Sequence, residues 1–186
     1  MKKFFILCVL LSCYPCVSGA VDVGLGVTLE SASSSGESMI LIPVVLSSNV
    51  YIEPFYRGSS FKDKINIGPS GDEIRGNLSE LGVGLFYRSP LKEKIDFYVG
   101  GRSGYVVQES SGKSVVRSNE EKLYGYSVAP TLGLQYQVAP RFWVSGEAYW
   151  NYSKVDGKRS DSLLGESERS EEVKGTGTRV VLRYLF

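Results

Sequence analysis

The chain has 186 residues, a formal charge of +1, 42% hydrophobic and 12% aromatic residues, 21 glycines and no histidine. A charge so close to zero leaves no electrostatic footprint for nucleic acid. Without histidine it lacks the group for imidazole metal sites and for proton transfer by imidazole, and its only cysteines are Cys8, Cys13 and Cys16.

Residues 1–20 have the three parts of a secretory signal: Lys2 and Lys3, an apolar run from Phe4 to Leu11, and the small residues Ser18, Gly19 and Ala20 before the cut. The mature chain is expected to begin at Val21, and residues 21–186 to form a single domain. The run Leu10-Leu11-Ser12-Cys13 also resembles a lipoprotein processing box, which would instead make Cys13 a lipidated N-terminus. Cleavage after Ala20 removes all three cysteines, so no disulfide staples the fold. It also lowers the basic residues from 21 to 19 against 20 acidic ones, a charge of −1. No apolar segment reaches the roughly 20 residues of a membrane-spanning helix, so any membrane span is built from strands.

A two-residue period then dominates the chain, as in strands with one apolar face. In the first strand, 21–30, Val21, Val23, Leu25, Val27 and Leu29 share one face, and Asp22, Gly24, Gly26, Thr28 and Glu30 the other. Two less regular strands are expected at 39–46, apolar on both faces, and at 50–58. Clear alternation returns at 78–88 (Leu81, Val83, Leu85, Tyr87), 95–107, 124–136, 142–152 and 176–186 (Thr178, Val180, Leu182, Tyr184, Phe186). Short links near 47–49, 89–94 and 137–141 alternate with polar stretches near 31–38, 59–77, 108–123 and 153–175, which are expected to be loops. The fold predicted is all-β: an eight-stranded antiparallel transmembrane up-and-down β-barrel with short periplasmic turns and long extracellular loops. Pro43, Pro54 and Pro130 are expected to mark bulges or strand ends, since each lacks a ladder donor.

Charge divides the two faces. The apolar phase carries no Asp, Glu, Lys or Arg, although these make up 22% of the chain. The opposite phase carries Glu53, Arg57, Glu80, Arg102, Glu147, Arg179 and Arg183, and no Lys. Arginine offers a planar fork of donors suited to carboxylates in confined sites, so these seven are expected to form a charge network filling the lumen. Inward glycines such as Gly24, Gly26, Gly82, Gly84, Gly100, Gly104 and Gly133 would make room for long side chains in a barrel with little interior space. On the apolar face, Tyr87, Phe97, Tyr136, Phe142, Tyr184 and Phe186 would ring the periplasmic rim. Tyr56, Tyr105, Tyr124, Tyr126, Trp150 and Tyr152 would ring the outer one.

The last eleven residues, TGTRVVLRYLF, alternate strictly and end in Phe186. This terminus resembles the C-terminal assembly signal of outer-membrane proteins, with Tyr184 and Phe186 at its aromatic positions. The mature chain is similar in size and organisation to the generic outer-membrane β-barrel domain family of the OmpA membrane-domain, OmpX and Ail type, as in YVGGRSGY at 98–105 and PTLGLQYQVAPRFWVSGEAYW at 130–150. The resemblance implies localisation in the cell outer membrane and contact with outer-membrane lipid and lipopolysaccharide. It also implies handling by the barrel-assembly machinery and periplasmic chaperones.

Outer-membrane barrels that act as deacylases, palmitoyltransferases, phospholipases or proteases use a histidine, which this chain lacks. Glu53, Glu80 and Glu147 are a conceivable acid–base set, but their plainer role is to neutralise the lumen arginines. The loop expected at 156–172 lacks the ligand spacing of a calcium loop. No cofactor and no metal are expected. Lys62, Lys64, Arg75, Lys113, Arg117, Lys154, Lys158 and Arg159 would lie beside the outer rim, in reach of lipopolysaccharide phosphates. The function expected is that of a monomeric structural or surface-interaction barrel without enzymatic activity. The alternatives are a narrow channel for ions or small solutes and a soluble periplasmic ligand-binding barrel.

Overall fold

The computed structural model describes residues 22–30, 38–65, 72–113, 118–162 and 165–186. The secretory signal, its cleavage point, Cys13 and residues 31–37 lie outside the described residues, as does Arg117.

Every described element is a strand: β1 (Gly24–Glu30), β2 (Ser38–Leu41), β3 (Val44–Val45), β4 (Val50–Ile65), β5 (Asp72–Lys92), β6 (Ile95–Lys113), β7 (Ser118–Ala139), β8 (Phe142–Asp161) and β9 (Gly165–Leu185). They form one antiparallel sheet in the order β2-β1-β9-β8-β7-β6-β5-β4-β3. Because β2 also pairs with β4, the sheet closes on itself. The short β2 and β3 are two halves of one stave, interrupted at Ile42 and Pro43, where the Gly24 amide donates to the Pro43 carbonyl at 2.9 Å. Counted by staves, the barrel has eight, and closure leaves its membrane-depth portion without an edge strand.

Alternation decides which residues fill the barrel. Leu25, Leu81, Val83, Leu85, Leu132, Leu134 and Val180 stand exposed on the outer wall, and their chain neighbours turn inward. The stave that is apolar on both faces does both jobs. Its Met39 and Leu41 pack inside against Phe55 and Val181, while Ile40 and Ile42 face out. Two further apolar clusters lie inside: Tyr51, Phe86 and Tyr98 on the side of the short turns, and Val106, Leu123 and Val155 towards the long hairpins.

Two expectations need correction. The polar stretches at 59–77, 108–123 and 153–175 are largely ladder, not loop. Hydrogen-bonded pairing continues to Ile65↔Asp72, Lys113↔Ser118 and Asp161↔Gly165. These segments are largely polar in sequence, with Leu123 and Val155 as buried exceptions, so they carry no sustained apolar alternation to betray them, yet cross-strand pairing of Ser, Glu, Lys and Arg is enough to extend a hairpin already registered below.

Pro54 and Pro130 also lie within strands. Pro54 pairs with Val83 in an unbroken ladder, and at Pro130 the β7–β8 pairing lapses between Val128↔Tyr152 and Thr131↔Tyr149 without a change of register. Pro43 falls at the break in its stave and Pro130 at this lapse, so the expectation fails at Pro54 alone. The irregularities in register sit near the short turns, between Pro90 and Lys92 and between Gln137 and Ala139.

The barrel rim is uneven. β1 pairs with β9 only as far as Glu30↔Arg179, and β2 with β4 only as far as Ser38↔Gly58. Beyond these points β9 has β8 as its single neighbour and β4 has β5, among the described residues.

Candidate functional site

The centre of the lumen is a cluster of three arginines and two glutamates drawn from four strands. Glu53 (β4), Arg102 (β6), Glu147 (β8), Arg179 and Arg183 (β9) are each at least 96% buried. Inward parity turns all five into the lumen, strand stagger lets their side chains meet, and the strand register sets small residues beside them. Gly84 lies opposite both Glu53 and Arg102, and Gly133 opposite both Glu147 and Tyr98. A Cβ on Gly133 would stand 2.4 Å from the Tyr98 ring, so the glycine is what admits that tyrosine.

Glu147 is the hub. Its carboxylate accepts from Arg102 Nη1 at 2.8 Å and Nη2 at 3.0 Å, from Arg179 Nε at 2.7 Å, from Arg183 Nη2 at 2.9 Å and from the Tyr98 hydroxyl at 2.7 Å. Glu53 accepts from Arg183 Nε at 2.8 Å, from Arg102 Nε at 3.1 Å and from Arg102 Nη2. Arg183 Nη1 donates further to Ser145 Oγ at 2.8 Å.

Aromatic rings face the guanidiniums. Arg179 lies 4.3 Å from the Tyr149 centroid, Arg102 4.7 Å from Phe86 and Arg183 5.3 Å from Tyr98. The negative ring faces offset part of the cost of burying these cations.

The remaining two residues expected in the network form a separate pair nearer the outer rim. Arg57 bridges to Glu80, which also accepts from Ser127 Oγ. Nearer the short turns, Arg88 and Asp96 approach to 3.8 Å, and Gln135 donates to Asp96 at 2.9 Å. Between these layers a cavity of about 20 Å³, lined by Tyr51, Trp143 and Arg183 among others, has room for one water molecule.

Sequence reasoning did not name the inward aromatic residues Tyr51, Phe86, Tyr98, Tyr149 and Trp143. Their parity with the lumen charges was the available signal. The carboxylates proposed as an acid–base set are split between the hub and the Arg57 pair, and the hub carboxylates are saturated by arginine donors.

Outside, the aromatic residues expected at the rims form close ring pairs. Tyr105 and Tyr124 lie 6.5 Å apart, Trp150 and Tyr152 6.2 Å, and Tyr184 and Phe186 5.5 Å. Phe186 closes the ladder, its amide donating to the Val23 carbonyl at 2.8 Å. Above the outer girdle the wall is charged, and three of the lysines there are exposed and individually paired. Lys122 bridges to Glu109, Lys158 to Glu166 at 3.4 Å and Lys174 to Glu172 at 2.6 Å. The hydrogen bond from Lys174 holds the Glu172 carboxyl below its ordinary range, and the same bond raises the Lys174 ammonium. Among the described residues no cluster of potential ligands is suited to a metal ion.

No protein-family model matches the chain, and no curated protein matches it in sequence. Solved structures do match the fold. A major outer membrane protein from Thermus thermophilus aligns with a TM-score of 0.58 at 11% identity, over 90% of this chain and 100% of that one. Ail, the attachment invasion locus protein of Yersinia pestis, in its complex with sucrose octasulfate, aligns at 0.54 and 13% identity over 90% and 100%. Neisserial surface protein A aligns at 0.51 and 15% identity over 89% and 96%. At these identities the likeness is one of architecture, and the chain has the fold of the small outer-membrane β-barrels.

Proposed function

We propose that the protein is a non-enzymatic outer-membrane barrel whose lumen is plugged and whose work is done by its outer wall and its projecting hairpins. The observation that carries this reading is the five-residue charge network, which spans the lumen with both carboxylates committed to arginine. An uncharged apolar band between two aromatic girdles supports a bilayer location. Strands β5 to β9 run 19 to 22 residues, whereas a tilted strand needs about 9–11 to cross the hydrocarbon. Roughly half of each strand is therefore free to stand above the membrane as a rigid surface for interaction.

Planar-bilayer recording of the purified mature chain tests the plug. The expected trace is silent at about 100 mV in molar KCl. Steady single-channel steps that change on Glu53→Gln would instead establish a narrow channel. Recovery of the folded chain in the soluble periplasmic fraction would overturn the membrane reading itself.

A further inference from the structure

In the lumen the hydroxyls of Tyr98, Ser127 and Ser145 are hydrogen-bonded, and that of Tyr51 is not. The Tyr51 ring is firmly held, with its centroid 5.1 Å from that of Phe86 and 6.2 Å from that of Tyr98, and the residue is only 5% exposed. Its buried hydroxyl nevertheless meets no partner on the protein. Leaving such a group unbonded is costly, and phenylalanine would fill the same space without that cost.

The hydroxyl belongs to a residue that lines the cavity of about 20 Å³ between the ionic hub and the short turns. The lining comes from right round the barrel: Val45 on β3, Tyr51 on β4, Arg88 on β5, Gln135 on β7, Trp143 on β8 and Arg183 on β9. A point touched by six of the eight staves lies near the barrel axis. Five of these six side chains carry polar groups, whereas cavities that stay dry are lined by apolar ones.

The polar groups have capacity to spare. Gln135 Nε2 donates to Asp96 at 2.9 Å, which leaves the Gln135 carbonyl oxygen as an acceptor. Arg88 directs Nε and Nη2 to the Ser48 carbonyl at 3.3 and 2.8 Å, and a guanidinium has five N–H groups. One water needs roughly 10–15 Å³ and two to four polar partners, and both are present.

We propose that the cavity is the site of one ordered water molecule, which accepts hydrogen bonds from the Tyr51 hydroxyl and Arg88 and donates one to the Gln135 carbonyl oxygen. It joins the aromatic cluster below the hub to the layer of Arg88, Asp96 and Gln135, and so extends the plug by hydrogen bonds to the level of the short turns. The inference rests on the plugged lumen proposed above. It is read by water relaxation and unfolding, and the plug by conductance, so either can fail alone.

Oxygen-17 relaxation dispersion on the folded mature chain in detergent micelles counts the waters whose residence outlasts tumbling of the particle. Val45→Ile and, separately, Val45→Leu add volume at the cavity wall, and each is expected to lower the count by one. Tyr51→Phe is expected to lower the urea midpoint in the parent, where the hydroxyl is bonded to water. In the Val45→Ile chain, with the water displaced, the same substitution is expected to raise it.

Heat-modifiable gel migration reports folding of each variant, and the second Val45 substitution guards against loss of the first. A count that the folded Val45 variants leave unchanged overturns the site. A midpoint that rises on Tyr51→Phe in the parent also overturns it, since the hydroxyl is then unbonded.

Discussion

Glu147 shows how much one side chain holds together. Its two oxygens serve Arg102, Arg179, Arg183 and the Tyr98 hydroxyl. Glu147→Gln keeps the shape but leaves Arg102 and Arg183 facing the single carboxylate of Glu53 and takes from Arg179 its charged contact with Glu147. Removing one partner of a buried pair costs about 3–5 kcal/mol because the other charge stays desolvated. The urea midpoint of the detergent-folded barrel is therefore expected to fall markedly. Arg57→Gln is expected to cost less, since the Arg57 side chain is 12% exposed and Glu80 keeps the hydrogen bond from Ser127. Equal losses in the two variants would contradict the hub. All seven charged residues were legible from parity alone, because Glu and Arg inside an alternating pattern have only one place to go. The division into a five-residue hub and a separate pair was not, because strand stagger sets the level of each residue and no sequence period records it. Tyr98 was hidden for another reason: a tyrosine fits either face of a barrel, so its parity with Arg102 stands out less than a charge would, and the facing glycine, Gly133, is what makes room for its ring.

At the scale of strands, membrane-depth segments announced themselves and their extensions did not. Residues 78–88 alternate because one face is apolar, whereas 72–77 and 108–113 belong to the same ladders with polar groups on both sides. The extensions make hydrogen exchange informative. On β9, amides from Gly165 to Gly177 that point towards β8 are paired, and those between them point away from it. A sawtooth is expected by NMR, with alternate amides exchanging at least tenfold faster than their neighbours. Uniform protection along the segment would mean the edge is covered. Charged Glu166, Glu168, Glu171 and Glu172 suit such an edge, because like charges discourage chance pairing with another chain. The end of the same strand carries a different expectation. Phe186 contributes one closing hydrogen bond and one ring contact, so Phe186→Ala is expected to change unfolding in detergent by under about 1 kcal/mol. If Tyr184 and Phe186 form an assembly signal, the same variant lowers the amount of barrel reaching the membrane in cells several-fold. A parallel loss of stability and yield would assign Phe186 to packing alone.

Taken as one object, the molecule has an outer wall that carries no charge at membrane depth and a lumen whose polar content is dominated by paired charge. The two are coupled by the pleat: every residue given to the wall fixes its neighbour in the lumen. An eight-strand closure leaves an interior that side chains can fill, and here the fill is an ionic layer between apolar clusters, Tyr51, Phe86 and Tyr98 below and Val106, Leu123 and Val155 above. Conduction would demand at least that the ionic layer open across its width, so removing a single charge leaves the passage blocked. Arg102→Ala combined with Glu147→Ala takes out the two side chains that link β6 and β8 across the centre, and the surviving Arg183 and Glu53 still pair at 2.8 Å along one side. The double variant is expected to conduct in planar bilayers where the parent and each single variant are silent. A silent double variant with a native unfolding midpoint would move the barrier from the ionic layer to the apolar clusters that enclose it.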